Sequence, residues 1–266
     1  MESSEVSFSF GKNWQDYLGT VSEAEIEAAK SDLEEWLGKG TVSGKTVIDI
    51  GSGSGIHSLG FYLLGARTVG SLDYDEHSVT ATATLREQQG APANWTVSQG
   101  SILEPELLDV APGGFDIVYS WGVLHHTGSM WEAMENAASL VARGGRLFIS
   151  LYVKGPRYER DLALKRKYNA ASPTGKRLML GKRIGSVMLS RLKHGKNPLK
   201  WNEKRRRGMN VYHDLIDWLG GLPYEVASED EVVRFGTEHG LALERVHEAP
   251  EGGCSIYLFG PERANA

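Results

Sequence analysis

Between residues 45 and 152 the chain alternates short apolar runs with stretches whose apolar positions recur three or four residues apart. The runs "KTVIDI", "RTVGSLDYD", "NWTVSQGSI", "FDIVYSWGVL" and "RLFISLY" are brief and rich in β-branched or aromatic residues. Glycine or polar residues bound them, so they predict five buried strands. Between them "IHSLGFYLLG", "EHSVTATATLREQQG" and "SMWEAMENAASLVARGG" carry helical spacing. Such alternation predicts βαβ units, a parallel sheet and helices on both faces. Upstream, "SEAEIEAAKSDLEEWL" (22–37) predicts a helix capped by Ser22 and Glu25, with Ile26, Ala29, Leu33, Trp36 and Leu37 on one face. Downstream, "VYHDLIDWLGGLPYE" and "SEDEVVRFGTEHG" predict two further helices. "LALERVHEA" and "CSIYLFGP" then predict two closing strands, joined through "PEGG" as an antiparallel hairpin at the sheet edge.

Composition adds a charge boundary. With 266 residues, 41% hydrophobic and 24% charged, the chain can bury a full core as one large domain. Residues 151–210 hold 18 Lys and Arg against three acids, Glu159, Asp161 and Glu203; the remainder holds 11 against 31. The positive stretch predicts an inserted element with its own task. Four segments follow: an arm and helix (1–40), a core (41–152), a basic helical lid (153–222) and the rest of the core sheet (223–266). In the lid, Leu180, Ile184, Val187, Met188 and Leu192 predict one packed helical face. The single Cys254 excludes an internal disulfide, and "MESSEVSFSF" has neither a basic start nor an apolar signal region. These features predict a cytoplasmic protein.

The stretch "VIDIGSGSGIHSL" (47–59) carries the first chemistry. A loop leaving a parallel strand and entering a helix presents backbone N–H groups to a ligand, and glycines allow close approach. Gly51, Gly53 and Gly55 are not a dinucleotide fingerprint, because Ile56 stands where a third spaced glycine is needed, and no Walker lysine follows. Asp49, two residues before the loop, disfavours a pyrophosphate and suits a cationic ligand. Asp73, closing the second strand, is placed to accept both hydroxyls of a ribose.

Together these motifs resemble class I S-adenosylmethionine-dependent methyltransferases, in the branch acting mainly on small molecules. "VIDIGSGSG" resembles the family's first motif, "SLDYD" the second, "QGSIL" the adenine-binding turn, "FDIVYSWGVLHHT" the fourth motif and "LVARGGRLFIS" the turn into strand five. The resemblance covers about residues 40–152 and the closing hairpin. It implies a Rossmann-like, seven-stranded, mostly parallel α/β sheet with an antiparallel C-terminal hairpin and a helical lid. It also implies S-adenosylmethionine as cofactor, held by Asp49, Gly51, Ser52, Gly53, Gly55, Asp73, Tyr74, Ser101, Ile102, Ser120 and Trp121. One departure stands out: Ser101 occupies the place where the family usually offers an acid to the adenine amine. "FSFGKNWQDYL" resembles an arm that some relatives fold over the cofactor.

On the acceptor side, His125 and His126 follow the fourth strand, and either could take a proton. In "VYHDLIDWLGG", Tyr212, Leu215, Ile216 and Leu219 share one face, while His213, Asp214 and Asp217 share another, with His213 one turn from Asp217. A base oriented by a carboxylate and a solvated polar face are both open readings, and Tyr212, His213 and Asp217 join the acceptor-site candidates. His57, in the first turn after the loop, reads as structural. No histidine or cysteine spacing suits a metal. The lid offers three readings: a plain cover, a trap for an acidic or phosphorylated acceptor through Arg205, Arg206 and Arg207, or a contact with RNA or an anionic membrane. The chain's overall acidity weighs against nucleic acid. The expected reaction is methyl transfer to a small molecule. Two alternatives remain: transfer or cyclisation of the aminocarboxypropyl group, and an RNA-directed or non-catalytic binding protein.

Overall fold

The computed structural model describes residues 22–104, 113–202 and 211–262. The strands are β1 (Thr46–Ile50), β2 (Thr68–Asp73), β3 (Trp95–Gln99), β4 (Phe115–Trp121), β5 (Val141–Tyr152), β6 (Leu241–His247) and β7 (Cys254–Pro261). They form one sheet in the order β3-β2-β1-β4-β5-β7-β6, in which β7 alone runs antiparallel to its neighbours. The order reverses between β1 and β4. At such a switch point the connections leave on opposite faces and open a crevice at the strand C-termini.

Helices α1 (Glu23–Leu37), α2 (Ile56–Leu63) and α3 (Glu76–Gln88) cover one face of the sheet. Helices α4 (Met130–Ser139) and α8 (Glu229–Glu238) cover the other. The period-two alternation of strands builds both cores from the same residues in turn. Along β4, Ile117 and Tyr119 pack with Leu33, Trp36 and Leu59, while Val118 packs with Met130, Met134 and Phe235. Ser22 and Glu25 form the expected capping box at α1.

Two sequence expectations change. The helical pattern that ran to Gly145 stops at Ser139, and β5 begins at Val141, which pairs with Phe115. Gly144 adopts φ +80, and a Cβ at Gly145 would approach the Phe115 carbonyl oxygen to 2.8 Å, so this segment pairs tightly as extended chain. In the basic segment the expected helix is α6 (Pro173–Lys193), and a further helix, α5 (Tyr158–Ala170), precedes it. They are separated at Ser172, whose hydroxyl accepts from the Gly175 N–H at 3.3 Å. Leu180 is buried there as expected, but Leu192 is 60% exposed. At about 100° per residue the two lie roughly 120° apart around the helix, so one packed face cannot hold both.

The lid packs α5 and α6 against α7 (Val211–Gly220) through Tyr168, Leu180 and Leu219. Leu162 joins it to the sheet through Tyr152, Leu222 and Tyr224. Lys165, with no exposed surface, sits at the junction: its ammonium donates to the Trp218 carbonyl and lies over the rings of Tyr152, Trp218 and Tyr224. Burial, reinforced by Arg183, lowers its pKa to about 7 against the opposing pull of Cys254, Asp161 and Asp217.

Candidate active site

The strand C-termini and the lid line a partly open cavity of about 1440 Å³. A single small ligand usually fills roughly 300–1,000 Å³, so this space has room for more than one small molecule. One end is the glycine loop. Gly51, Gly53 and Gly55 adopt φ of +76, +57 and +78, a region closed to most side chains. A Cβ at Gly51 would also overlap Val123, and one at Gly55 would lie 2.8 Å from the Thr82 Cα.

Asp73 ends β2 at the rim of this loop. Its carboxylate accepts from the Gly53 N–H at 2.8 Å and the Asp75 N–H at 2.9 Å. Burial nevertheless raises its pKa to about 6, the two amides offsetting part of the shift. Asp49 is held from behind by a buried relay. Trp95 Nε1 donates to Ser71 Oγ (2.9 Å), Ser71 to Ser58 Oγ (2.7 Å), and Ser58 to Asp49 Oδ2 (2.6 Å). Every donor points toward the carboxylate, which orients it. No lysine or arginine from β1–β4 or their loops lines the cavity among the described residues; Arg166 and Arg183 come from the lid. This end therefore suits a ligand with hydroxyls and a cation, and is poorly built for phosphates.

His125 and His126 also line the cavity, in a single turn after β4 (Leu124–His126) with ring centroids 4.4 Å apart. The Tyr152 backbone N–H donates to His125 Nδ1 at 3.3 Å, which leaves the proton of the neutral ring on Nε2. That Nε2 is buried without a hydrogen-bond partner among the described residues. His126 is the opposite tautomer: Nδ1 faces the Pro223 carbonyl at 2.5 Å and carries the proton, so its lone pair is on Nε2. Burial, with Lys165 adding repulsion, depresses both pKa values: His125 well below the usual range, His126 to about 3. Both rings are neutral near pH 7, and on His126 the lone pair lies on Nε2. Tyr152, Tyr158, Leu162, Val187, Trp218 and Tyr224 complete an aromatic and aliphatic wall.

The model of a methyltransferase domain matches residues 41–206, well over half of the chain. The chain belongs to this methyltransferase family. A tRNA U34 carboxymethyltransferase from Idiomarina loihiensis is 28% identical over 187 residues, 67% of this chain and 56% of that protein. A ubiquinone biosynthesis O-methyltransferase from Bordetella bronchiseptica is 29% identical over 118 residues, 44% of this chain and 47% of the relative. The chain spans about half the length of the curated relatives it matches. Among solved structures, magnesium protoporphyrin IX methyltransferase from Synechocystis PCC 6803, with bound S-adenosylhomocysteine, superposes with a TM-score of 0.55 at 17% identity, covering 94% of both chains. An O-methyltransferase family protein from Burkholderia thailandensis gives 0.53 at 15% identity, covering 93% of this chain and 58% of that one. These likenesses establish the fold.

The family's cofactor is S-adenosylmethionine, and the donor set of the methyltransferase cavity fits it: a carboxylate at the β2 tip for ribose hydroxyls, a second at Asp49, and, among the described residues, no lysine or arginine lining it from β1–β4 or their loops. Asp49, Gly51, Ser52, Gly53, Asp73, Tyr74, Ser101, Ile102 and Trp121 all line the cavity. Gly55 instead caps α2 from behind, and Ser120 is fully buried, its hydroxyl donating to the Ile50 carbonyl at 3.0 Å to tie β4 to β1. Ser101 turns its hydroxyl oxygen to the Leu103 N–H at 3.2 Å. On α7, Asp217 lines the cavity whereas Tyr212 and His213 do not, because Val211, Asp214, Leu215 and Trp218 form the inward arc. The N-terminal arm and Arg205, Arg206 and Arg207 lie outside the described residues. No group of three or more potential metal ligands occurs among the described residues. Sequence reasoning missed the Ser58–Ser71–Trp95 relay, whose trace was a serine within each of two apolar segments. It also missed Lys165, Arg183 and Trp218, which gave no local signal.

Proposed function

We propose that the protein transfers a methyl group from S-adenosylmethionine to an oxygen or nitrogen of a small aromatic acceptor that carries an acidic group. The observation that carries this reading is the single cavity running from Asp73 and the glycine loop to His126 and the aromatic wall. When bound, S-adenosylmethionine supplies a methyl group already activated by its sulfonium. The chain's part is to align the acceptor, exclude water and receive a proton. Asp49 and Asp73 orient the donor end. His126 Nε2 accepts a hydrogen bond from the acceptor's O–H or N–H; that proton becomes far more acidic as the new bond forms, so a weakly basic ring suffices. Tyr158, Trp218 and Tyr224 offer flat apolar surfaces to a ring.

Arg183 supports the acidic group. Its guanidinium stacks on Trp218 at 4.4 Å, lines the cavity, and donates no hydrogen bond to any described residue. Burial lowers its pKa, so an anion there would relieve a real cost. The O-methyltransferase named among the relatives supports an oxygen acceptor. A second reading, an RNA-directed enzyme, draws on the longer match to the tRNA-modifying relative.

The test is calorimetric titration with S-adenosylhomocysteine, followed by turnover on phenolic carboxylic acids and their methyl esters. Expected are one-to-one binding, methylation of acids in preference to esters, and S-adenosylhomocysteine as the nucleoside product. Arg183→Met should abolish the preference while leaving cofactor affinity unchanged. Absence of cofactor binding sinks the reading, and methylthioadenosine as product assigns aminocarboxypropyl chemistry instead.

A further inference from the structure

Helix α6 has two opposed faces. On the inner one Leu180 is buried, and Arg183 and Val187 line the cavity. On the outer one Leu178, Leu189 and Leu192 are 62%, 54% and 60% exposed. Gly181 and Gly185 lie between them, and a Cβ at either would meet nothing within 4 Å. At about 100° per residue these five positions share a sector roughly 80° wide. Exposed Lys182 and Lys193 border it on one side and exposed Arg177 on the other. Leu199, 78% exposed, follows in the turn Pro198–Lys200, beside Lys196 and Lys200. Residues 173–200 contain eight lysines and arginines and no acid, in a chain whose net charge is −5.

Single exposed leucines are ordinary on soluble proteins, but three along one cationic helix face are not. We propose that the outer face of α6, with the turn that follows it, docks on an anionic lipid bilayer. The helix lies in the headgroup plane, its leucines reach the acyl boundary, and its lysines stay with the phosphates. Charge complementarity selects the anionic surface. The leucines select lipid over nucleic acid: single-stranded RNA is held by cations with aromatic platforms, and this sector has no aromatic residue and a centre of leucine and glycine. Because the same helix lines the cavity on its reverse side, docking sets the roof of the acceptor site against the membrane. No helix among the described residues is long and apolar enough to cross a bilayer, so the contact is peripheral.

The experiment is flotation of the full chain with phosphatidylcholine vesicles, with and without phosphatidylglycerol. Each cation near an anionic leaflet multiplies affinity about fivefold, so at least about tenfold tighter binding to the anionic vesicles is expected. The triple variant Leu178→Ser, Leu189→Ser, Leu192→Ser keeps every charge and should weaken that binding about tenfold or more. Lys182→Glu with Lys193→Glu should do the same. These side chains project into solvent, so circular dichroism and S-adenosylhomocysteine affinity should match the parent protein and show that the variants fold. Equal binding to neutral and anionic vesicles overturns the proposal, as does unchanged binding of the leucine variant. Single-stranded RNA that displaces the vesicles and binds the leucine variant equally well overturns it in favour of nucleic acid.

Discussion

Asp73 shows how one side chain can be costly to the empty protein and useful to the complex. Burial raises its pKa to about 6, so near pH 7 it is ionised in a site that penalises the charge. Ribose hydroxyls donating to it favour the ionised form and lower the pKa on binding. Affinity for S-adenosylhomocysteine should therefore climb as pH rises from about 5, by up to about tenfold per unit, and level off above about 6 to 7. Asp73→Asn should bind roughly 10- to 100-fold more weakly at pH 7.5 and lose the pH dependence, as read by calorimetry across that range. A neighbouring constraint acts on His126. A Cβ at Gly221 would lie 2.7 Å from its Cε1 and 3.2 Å from its Nε2. Gly221→Ala is expected to displace the ring and cut turnover about tenfold or more while cofactor affinity holds.

At the scale of elements, glycine means opposite things in two helices. Gly181 and Gly185 sit mid-helix in α6 with open space around them and no left-handed backbone. Alanine there should stabilise the protein by about 0.5–1 kcal/mol each, by removing freedom from the unfolded chain and improving helix propensity. Gly236 in α8 lets that helix approach β7, and a Cβ would overlap the Phe259 ring. Gly236→Ala should cost about 1–3 kcal/mol by overpacking. Urea unfolding of the three variants decides both signs. Helical periodicity predicts that α6 and α8 exist, but it says nothing about which glycine is crowded.

For the whole molecule, Lys165 couples the lid to the sheet. The unfolded chain protonates this amine below about 10.5, the folded chain only below about 7. Between those values the unfolded state binds more protons, so this residue makes stability rise with pH across the window. The ceiling is about 1.4 kcal/mol per pH unit. Unfolding free energies at pH 7, 8 and 9 should rise in the parent protein and be flatter in Lys165→Met. Equal slopes would show that the lysine is charged within its cage.

What the sequence determined by itself was the donor half of the molecule. A strand, a glycine loop and a helix lie within the 18 residues 46–63, and an acid ends the next strand, so local spacing suffices to point to Asp49, Gly51, Gly53 and Asp73, which line the cavity. The acceptor half was decided in three dimensions. His125 and His126 were visible as a pair, but their tautomers depend on Tyr152 and Pro223, 27 and 97 residues away. Which face of α7 looks inward depends on where α5 and α6 lie. Tyr212 and His213 therefore pointed from the sequence to a base that the packing keeps off the cavity wall, while Trp218 and Arg183, unremarkable in sequence, meet there. Contacts of long sequence separation leave no periodic trace, and the acceptor site is built from them.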